Sequence, residues 1–331
     1  MQIAMFSVKA YDSQFFEQEN ASHQHTLNYF NARLDLKTAH LAKNCDAVCA
    51  FVNDVLDRPV LQVLKDHGIG IIALRCAGFN NLDLQAARDL EMLVVRVPEY
   101  SPWAVAEHAL SLIQTLNRKT HRAFNRVREG NFSLDGLLGF DLHGKTIGII
   151  GTGKIGSIFA RIMHGFGTQV IACDPVQHPD CLKLGVNYLE LDKVLQHSDI
   201  ISMHCPLNSE TRHLVDANAI AKMKTGVMLI NTGRGALVDS KALIGGLKSQ
   251  KIGFLGLDVY EEEAELFFED LSDQVIQDDV FMRLMTFPNV LITGHQGFFT
   301  DTAMQNIAKT TLDNLDFIEA NGHCRDLDGQ I

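Results

Sequence analysis

Short runs rich in Val, Ile and Leu alternate with amphipathic stretches along nearly the whole chain. An early set reads IAMFSV, DAVCAFV, IGIIALRC and LVVRVP, separated by helical patterns such as DRPVLQVLKDHG and DLQAARDLE. A later set reads TIGIIG, QVIACD, DIISMHC, VMLINT and FLGLDV, with helical patterns such as KIGSIFARIMHGFG between them. Strands that are apolar throughout, rather than on alternate residues, are covered on both faces, and helical connections make such sheets parallel. The rhythm occurs twice in 331 residues. It predicts an α/β chain with two doubly wound parallel-sheet domains. A hydrophobic share of 46% is enough to fill two cores.

The stretch SPWAVAEHALSLIQTLNRKTHRAFNRVREG, residues 101–130, reads as one long helix that can bridge the domains. Ser101 can cap it, Pro102 suits its first turn and Gly130 follows its end. The amphipathic stretch TDTAMQNIAKTTLDNLDFIEANG near the end reads as another helix. Its periodicity leaves open whether it returns to the first domain.

The formal net charge of −11 argues against nucleic acid or an anionic membrane as the main partner. A few local cations still suffice for a small anionic substrate. The opening MQIAMFSVKAYD lacks the charged and apolar regions of a signal peptide, and no run of 18 apolar residues is present. Seven cysteines without a CxxC pair read as reduced core thiols, which points to the cytoplasm.

Chemistry enters at GKTIGIIGTGKIGSIFARI, a strand, a glycine loop and a helix. Gly151 permits a tight turn, Gly153 lets the backbone approach a pyrophosphate, and Gly156 lets the helix pack closely. Lys154 and Ile155 complete the G-x-G-x-x-G motif, and the helix N-terminus supplies N–H donors. Asp174 ends the next strand, where an acid accepts hydrogen bonds from a ribose diol and repels a 2′-phosphate. The reading is a dinucleotide site that takes NAD rather than NADP.

Ligands of such sheets bind at the carboxyl ends of the strands. His204-Cys205-Pro206, Asn231-Thr232-Gly233-Arg234-Gly235, Asp258 and His295 all follow apolar runs, so their strands bring them to one edge. The fork of Arg234 matches a carboxylate. His295 is the natural general acid/base, since imidazole titrates near neutrality. An acid from DVYEEEAE can orient it, and spacing leaves Glu261, Glu262, Glu263 and Glu265 open. No ligand cluster for a metal is evident, and the chemistry needs none.

Taken together, GTGKIG with Asp174, HCPL with Thr211, INTGRG, LDVYEEE, LFFEDLSDQVIQDDVF and TGHQGFF make the chain resemble the D-isomer-specific 2-hydroxyacid dehydrogenases, in particular the fermentative D-lactate branch. The resemblance implies a Rossmann-type cofactor domain of residues 101–298. Residues 1–100 and 299–331 would form a flavodoxin-like catalytic domain. It implies Arg234, Glu263 and His295 as the catalytic set, selecting Glu263 among the acids. It makes Cys205, Pro206, Thr211, Thr232 and Asp258 cofactor contacts beside the glycine loop. Ala77, Gly78 and Tyr100 become substrate contacts, with Cys76 beside them, and Phe298 and Phe299 an apolar pocket for the substrate side chain. The implied reaction reduces pyruvate to D-lactate with NADH, His295 donating the proton, in a homodimer or homotetramer. Two alternatives stand beside it: a dehydrogenase of bulkier 2-oxo acids, and an NAD-sensing binding protein like the corepressors of this fold, against which the lack of a basic extension weighs.

Overall fold

The structure is a computed structural model that describes residues 1–263 and 266–324. It divides into two compact units, Met1–Ser101 with the chain from Phe299 on, and Pro102–Phe298.

The first unit holds β1 (Gln2–Met5), β2 (Thr26–Tyr29), β3 (Ala47–Ala50), β4 (Ile71–Leu74) and β5 (Leu93–Arg96). They form one parallel sheet in the order β2-β1-β3-β4-β5. The order reverses beside β1, the flavodoxin-like arrangement. Every residue of β3 is buried, which is why its sequence is apolar without alternation. β2 lies at the edge and is only partly covered, so its TLNY carries no apolar run to announce it. The helix Asp301–Asn321 belongs to this unit. It buries Met304, Ile307, Leu312, Leu315 and Ile318, and packs on the helix Ala10–Asn20 and on β4 and β5. Thr300 caps its start by accepting from the Ala303 amide at 3.3 Å, and Gly322 ends it at φ 70°.

The second unit holds β6 (Thr146–Ile150), β7 (Gln169–Cys173), β8 (Asn187–Tyr188), β9 (Ile200–Met203), β10 (Val227–Asn231), β11 (Ile252–Leu257) and β12 (Val290–Ile292). Their parallel order is β12-β11-β10-β9-β6-β7-β8, so the sheet switches direction between β6 and β9. That is the Rossmann arrangement, with the crevice for a dinucleotide at the switch point. Alternate residues feed two cores. Ile147, Ile149, Ile200, Met228 and Ile230 face the helices Pro102–Arg118 and Lys154–Gly165. Ile150, Ile201, Met203, Leu229 and Leu257 face the other layer, with Leu243, Leu247, Phe281 and Leu284.

The single helix expected over 101–130 is two. Lys119 takes a left-handed conformation (φ 50°) between Pro102–Arg118 and Thr120–Arg128. Its ammonium donates to the Leu138 carbonyl at 2.8 Å. The first helix buries Ala106, Ala109, Leu112, Ile113 and Leu116 within the second unit's core, whereas the second helix buries nothing. Hydropathy alone reads both as amphipathic and does not register the break.

His204 follows β9 and lies against Phe159, with ring centroids 4.9 Å apart and Nε2 2.9 Å from Ser202 Oγ. Burial pushes its pKa down to about 3. The folded state therefore binds this proton more weakly than the unfolded chain, where histidine titrates near 6.5. The stability from the neutral ring is complete above the unfolded value and declines as pH falls from about 6.5 towards 3, at up to about 1.4 kcal/mol per pH unit. We expect urea unfolding of the wild type at pH 7.5, 6 and 5 to show this loss. His204→Gln should remove about one proton's worth of the slope, and parallel pH dependences would contradict it.

Candidate active site

Four loops leave the carboxyl ends of β6, β9, β10 and β11, and a fifth leaves β12. The β6 loop is the glycine motif. Gly151 sits at φ 91°, and a Cβ there would come within 2.5 Å of the Cys205 amide nitrogen. A Cβ on Gly156 would reach 2.0 Å from the Gly151 carbonyl. The third glycine thus sets how closely the helix Lys154–Gly165 meets the strand. Gly153 differs, because a Cβ there would meet nothing within 4 Å, and both it and Lys154 are exposed. Ile155 is half-buried. Asp174 closes the loop from β7, its Oδ2 accepting from the Thr152 amide at 2.6 Å and its Oδ1 from the Val176 amide at 2.8 Å. Tyr188 of β8 donates to Thr152 Oγ1 at 2.9 Å and so ties in the edge strand.

The β9 loop carries His204, Cys205 and Pro206. Burial raises the Cys205 thiol to about 11, which keeps it protonated. Thr211 closes this loop, its hydroxyl donating to the Pro206 carbonyl at 2.6 Å and accepting from the Asn208 amide at 2.8 Å.

After β10, the buried Asn231 side chain shapes the arginine loop. Its amide donates to the Arg234 carbonyl at 2.9 Å and its oxygen accepts from the Gly233 amide at 3.0 Å. Arg234 Nη1 donates to the Gly233 carbonyl at 2.8 Å, and no described carboxylate pairs with the guanidinium. Its remaining donors are available to an anion. Thr232 is buried, and its hydroxyl has no hydrogen-bond partner among the described residues. A Cβ on Gly235 would fall 2.0 Å from the Tyr260 carbonyl carbon, so the arginine loop rests on the backbone of the acidic loop.

That acidic loop separates the candidate acids. Glu261 is taken by His213 Nε2 at 2.7 Å and Arg212 Nη2 at 3.1 Å, and Glu262 is exposed. Glu265 lies outside the described residues. Glu263 turns inward, with Oε2 accepting from the Tyr260 amide at 2.9 Å and Oε1 standing 2.8 Å from His295 Nδ1. Tyr260 is itself held by its hydroxyl, which donates to Asp278 at 2.7 Å.

His295 sits in the left-handed region at φ 53°. For a non-glycine residue that conformation is costly and is kept only where surroundings impose it. Asp258 imposes it. This carboxylate is 1% exposed and both its oxygens are engaged: Oδ1 accepts from Thr293 Oγ1 at 2.5 Å and the Gln296 amide at 2.9 Å, and Oδ2 from the Gly297 amide at 2.7 Å. Its backbone carbonyl accepts from the His295 amide at 2.7 Å. His108, on the helix Pro102–Arg118, brings Nε2 to 3.2 Å from Oδ1 and 3.1 Å from Thr293 Oγ1. Burial alone would raise the Asp258 carboxyl. The hydrogen bonds from His108, Thr293 and the Gln296 amide outweigh it and hold the carboxyl below its ordinary value.

Sequence reasoning named Asp258 as a cofactor contact and missed this network. His108 lies 150 positions upstream within an apolar helix, and no spacing connects it to Asp258. A buried aspartate needs donors, and a histidine among alanines and leucines needs a partner, which is the one signal available.

Phe298 is buried in the second unit. Phe299 is 47% exposed in the first and meets the Tyr11 ring edge-on at 4.7 Å. Also in the first unit, Cys76, Ala77 and Gly78 follow β4 and the buried Arg75. The Ala77 carbonyl accepts from Arg96 at 2.9 Å, Cys76 Sγ donates to the Gly78 carbonyl at 3.2 Å, and the Tyr100 carbonyl accepts from Asn306 at 2.7 Å.

Comparison with known proteins identifies the family. The sequence pattern of the D-isomer specific 2-hydroxyacid dehydrogenase, NAD binding domain, matches residues 110–297. The chain is 54% identical over 324 residues to D-lactate dehydrogenase of Escherichia coli (strain K12), covering 98% of each. The solved structure of the pyruvate reductase of Chlamydomonas reinhardtii superposes with a TM-score of 0.92 at 41% identity, covering 99% of this chain and 98% of that one. D-lactate dehydrogenase from Aquifex aeolicus, complexed with NAD and lactic acid, superposes with a TM-score of 0.85 at 32% identity over 97% and 96%. The chain belongs to the D-isomer-specific 2-hydroxyacid dehydrogenase family and carries that family's NAD-binding domain.

Proposed function

We propose that the protein reduces pyruvate to D-lactate with NADH, reversibly, with His295 as proton donor and acceptor. The observation that carries this reading is the His295–Glu263 pair at 2.8 Å on the carboxyl edge of an NAD-binding sheet. The choice of substrate rests on likeness to D-lactate dehydrogenase and pyruvate reductase.

The residues present fit the dinucleotide. The open space at Gly153 accommodates a pyrophosphate over the helix N-terminus, and the unpartnered Thr232 hydroxyl is available for a polar contact. Asp174, beside the glycine loop, is placed to accept from a ribose diol and to repel a 2′-phosphate. Cys205, Pro206 and Thr211 border the loop from β9. Bound there, NADH supplies the hydride for the carbonyl carbon.

The chain's own groups do the rest. Arg234, with donors left over, receives the substrate carboxylate. Protonated His295 hydrogen-bonds the carbonyl oxygen and gives it the proton as negative charge develops there. Glu263, fixed by the Tyr260 amide, selects the ring orientation and stabilises the imidazolium. Reduction consumes the proton that the ring donates, and oxidation returns it to the ring.

A homo-oligomer fits the surface. Phe124, Phe132, Leu134 and Leu138 are 61%, 74%, 80% and 88% exposed around the helix Thr120–Arg128, an apolar patch that self-association would cover. Seven free cysteines suit the reducing cytoplasm.

Two experiments test the reading. The first compares glycines. Gly153→Ala has room in the protein alone, so it should keep its melting temperature yet bind NADH at least about tenfold more weakly, since its methyl occupies pyrophosphate space. Gly156→Ala should lower the melting temperature itself. If Gly153→Ala binds NADH normally, the cofactor does not lie over this loop. The second measures kcat/KM for pyruvate at saturating NADH. His295→Gln should lose roughly 10²–10⁴-fold. Glu263→Gln should lose about 10–100-fold, the equivalent of one charged hydrogen bond of roughly 1.5–3 kcal/mol. Arg234→Lys should fall by at least a comparable factor with NADH affinity unchanged. Near-wild-type turnover in His295→Gln would remove it as the proton donor. Activity greater with 2-oxoisocaproate or phenylpyruvate than with pyruvate would shift the substrate to a bulkier 2-oxo acid, and turnover of none would favour an NAD-sensing role.

A further inference from the structure

Histidines near the N-terminus meet carboxylates of the last helix on the first unit, and the proposed reaction uses none of them. His23 and His25 precede β2, separated by Gln24 at φ 62°, and their rings lie 6.3 Å apart and nearly parallel at 19°. Asp313, Asp316 and Glu319 recur every three residues on the helix Asp301–Asn321, so they share a face. Asp316 meets both rings, with Oδ2 2.6 Å from His23 Nδ1 and Oδ1 3.0 Å from His25 Nε2. Glu319 Oε2 lies 3.7 Å from His25 Nδ1. The His25 side chain is 1% exposed, while those of Asp316 and Glu319 are 43% and 49% exposed, so the recess opens on its acidic side.

The geometry at His25 is unusual for an ion pair. Its Nε2 is buried and has no hydrogen-bond partner among the described residues, although Asp316 Oδ1 is only 3.0 Å away. The two atoms are close but do not point at each other. Two ligands of one metal ion also lie close without bonding each other: with bonds of about 2.0–2.2 Å at a tetrahedral angle they stand about 3.4 Å apart, a small opening from the 3.0 Å seen here. One ligand atom from each of His25, Asp316 and Glu319 can be chosen with all three within 4.8 Å of one another. The Met1 ammonium lies 2.9 Å from Glu319 Oε1 and 3.3 Å from His25 Nδ1, so a bound ion shares these groups with it or displaces it.

We propose that His25, Asp316 and Glu319 form a binding site for a divalent transition-metal ion of the zinc type, with His23 orienting Asp316. One imidazole and two carboxylates suit Zn²⁺ or Ni²⁺, whereas Mg²⁺ and Ca²⁺ favour oxygen ligands alone. Solvent would complete the tetrahedron. The site joins the segment before β2 to the last helix, so its effect is on the stability of the first unit and not on the reaction. The ligands stand 291 and 294 positions apart in the chain (316 − 25 and 319 − 25), which hides the cluster from any reading of sequence spacing.

The test uses the full chain freed of metal with EDTA, titrated with Zn²⁺ by calorimetry and followed by thermal unfolding. Visible absorption with Co²⁺ in place of Zn²⁺ reports coordination number. The expected result is one ion per chain, a raised melting temperature and a four-coordinate Co²⁺ spectrum. His25→Gln and Asp316→Asn should abolish the rise in melting temperature. His23→Gln should weaken binding by about 10–100-fold, as loss of an outer-shell partner does. Glu319→Gln, at a half-exposed position, keeps the test decisive if a buried substitution disturbs folding. All four should retain NADH oxidation in EDTA. The proposal is overturned by no saturable binding up to about 100 µM Zn²⁺, an energy near −5.5 kcal/mol. It is equally overturned by unchanged affinity in Asp316→Asn and Glu319→Gln, which would place the ion at another site such as the cysteines.

Discussion

Asp258 is a carboxylate buried to 1% that keeps its charge because four groups donate to it. A lone buried carboxylate would protonate, since desolvation disfavours the ion. Here the donors come from β12's loop and from the helix Pro102–Arg118, so the charge is stable only when both are in place. The same contacts force the chain through His295 in a left-handed turn at φ 53°. The turn carries the imidazole to Glu263, whose other oxygen is already held by the Tyr260 amide. The Asp258 side chain thus supports the turn at His295 through Thr293, Gln296 and Gly297, while Glu263 holds the ring itself.

Close approach of backbones joins this anchor to the rest of the edge. Gly156 lets the helix Lys154–Gly165 rise from the Gly151 carbonyl, and Gly235 lets the arginine loop lie on Tyr260. A side chain at either position would separate two loops by more than the proposed chemistry tolerates, since positional errors of about 1 Å cost catalysis heavily. Gly297 is part of the same packing, with its amide on Asp258 and room for a Cβ only 2.9 Å from Oδ2. An alanine there would press on the anchor.

Much of this was legible in the chain. Buried central strands such as β3, β9 and β10 read as unbroken apolar runs, and the glycine loop, Asp174, Arg234 and His295 follow from their strand ends. The edge strands β2 and β8 were not legible, because TLNY and NY are short and half-covered and carry no run. The break at Lys119 was hidden because helices on either side keep their amphipathic period. Spacing left Glu261, Glu262, Glu263 and Glu265 open and only the family resemblance singled out Glu263; the fold gives the physical reason, handing Glu261 to Arg212 and His213 and turning Glu263 inward. His108 and the clustered His25 and Asp316 escaped for the same reason: their partners are distant in the chain and near only in the folded unit.

The central claim is that Asp258 acts through His295, and a double-mutant cycle tests it most directly. kcat/KM for pyruvate at saturating NADH is measured for wild type, Asp258→Asn, His295→Gln and the double variant. If Asp258 holds the histidine in place, His295→Gln should cost at least about tenfold less in the Asp258→Asn background than in the wild type, a coupling of roughly 1.4 kcal/mol or more. Penalties that simply multiply would show that the two residues act independently, and the buried carboxylate would then not be what positions the proposed proton donor.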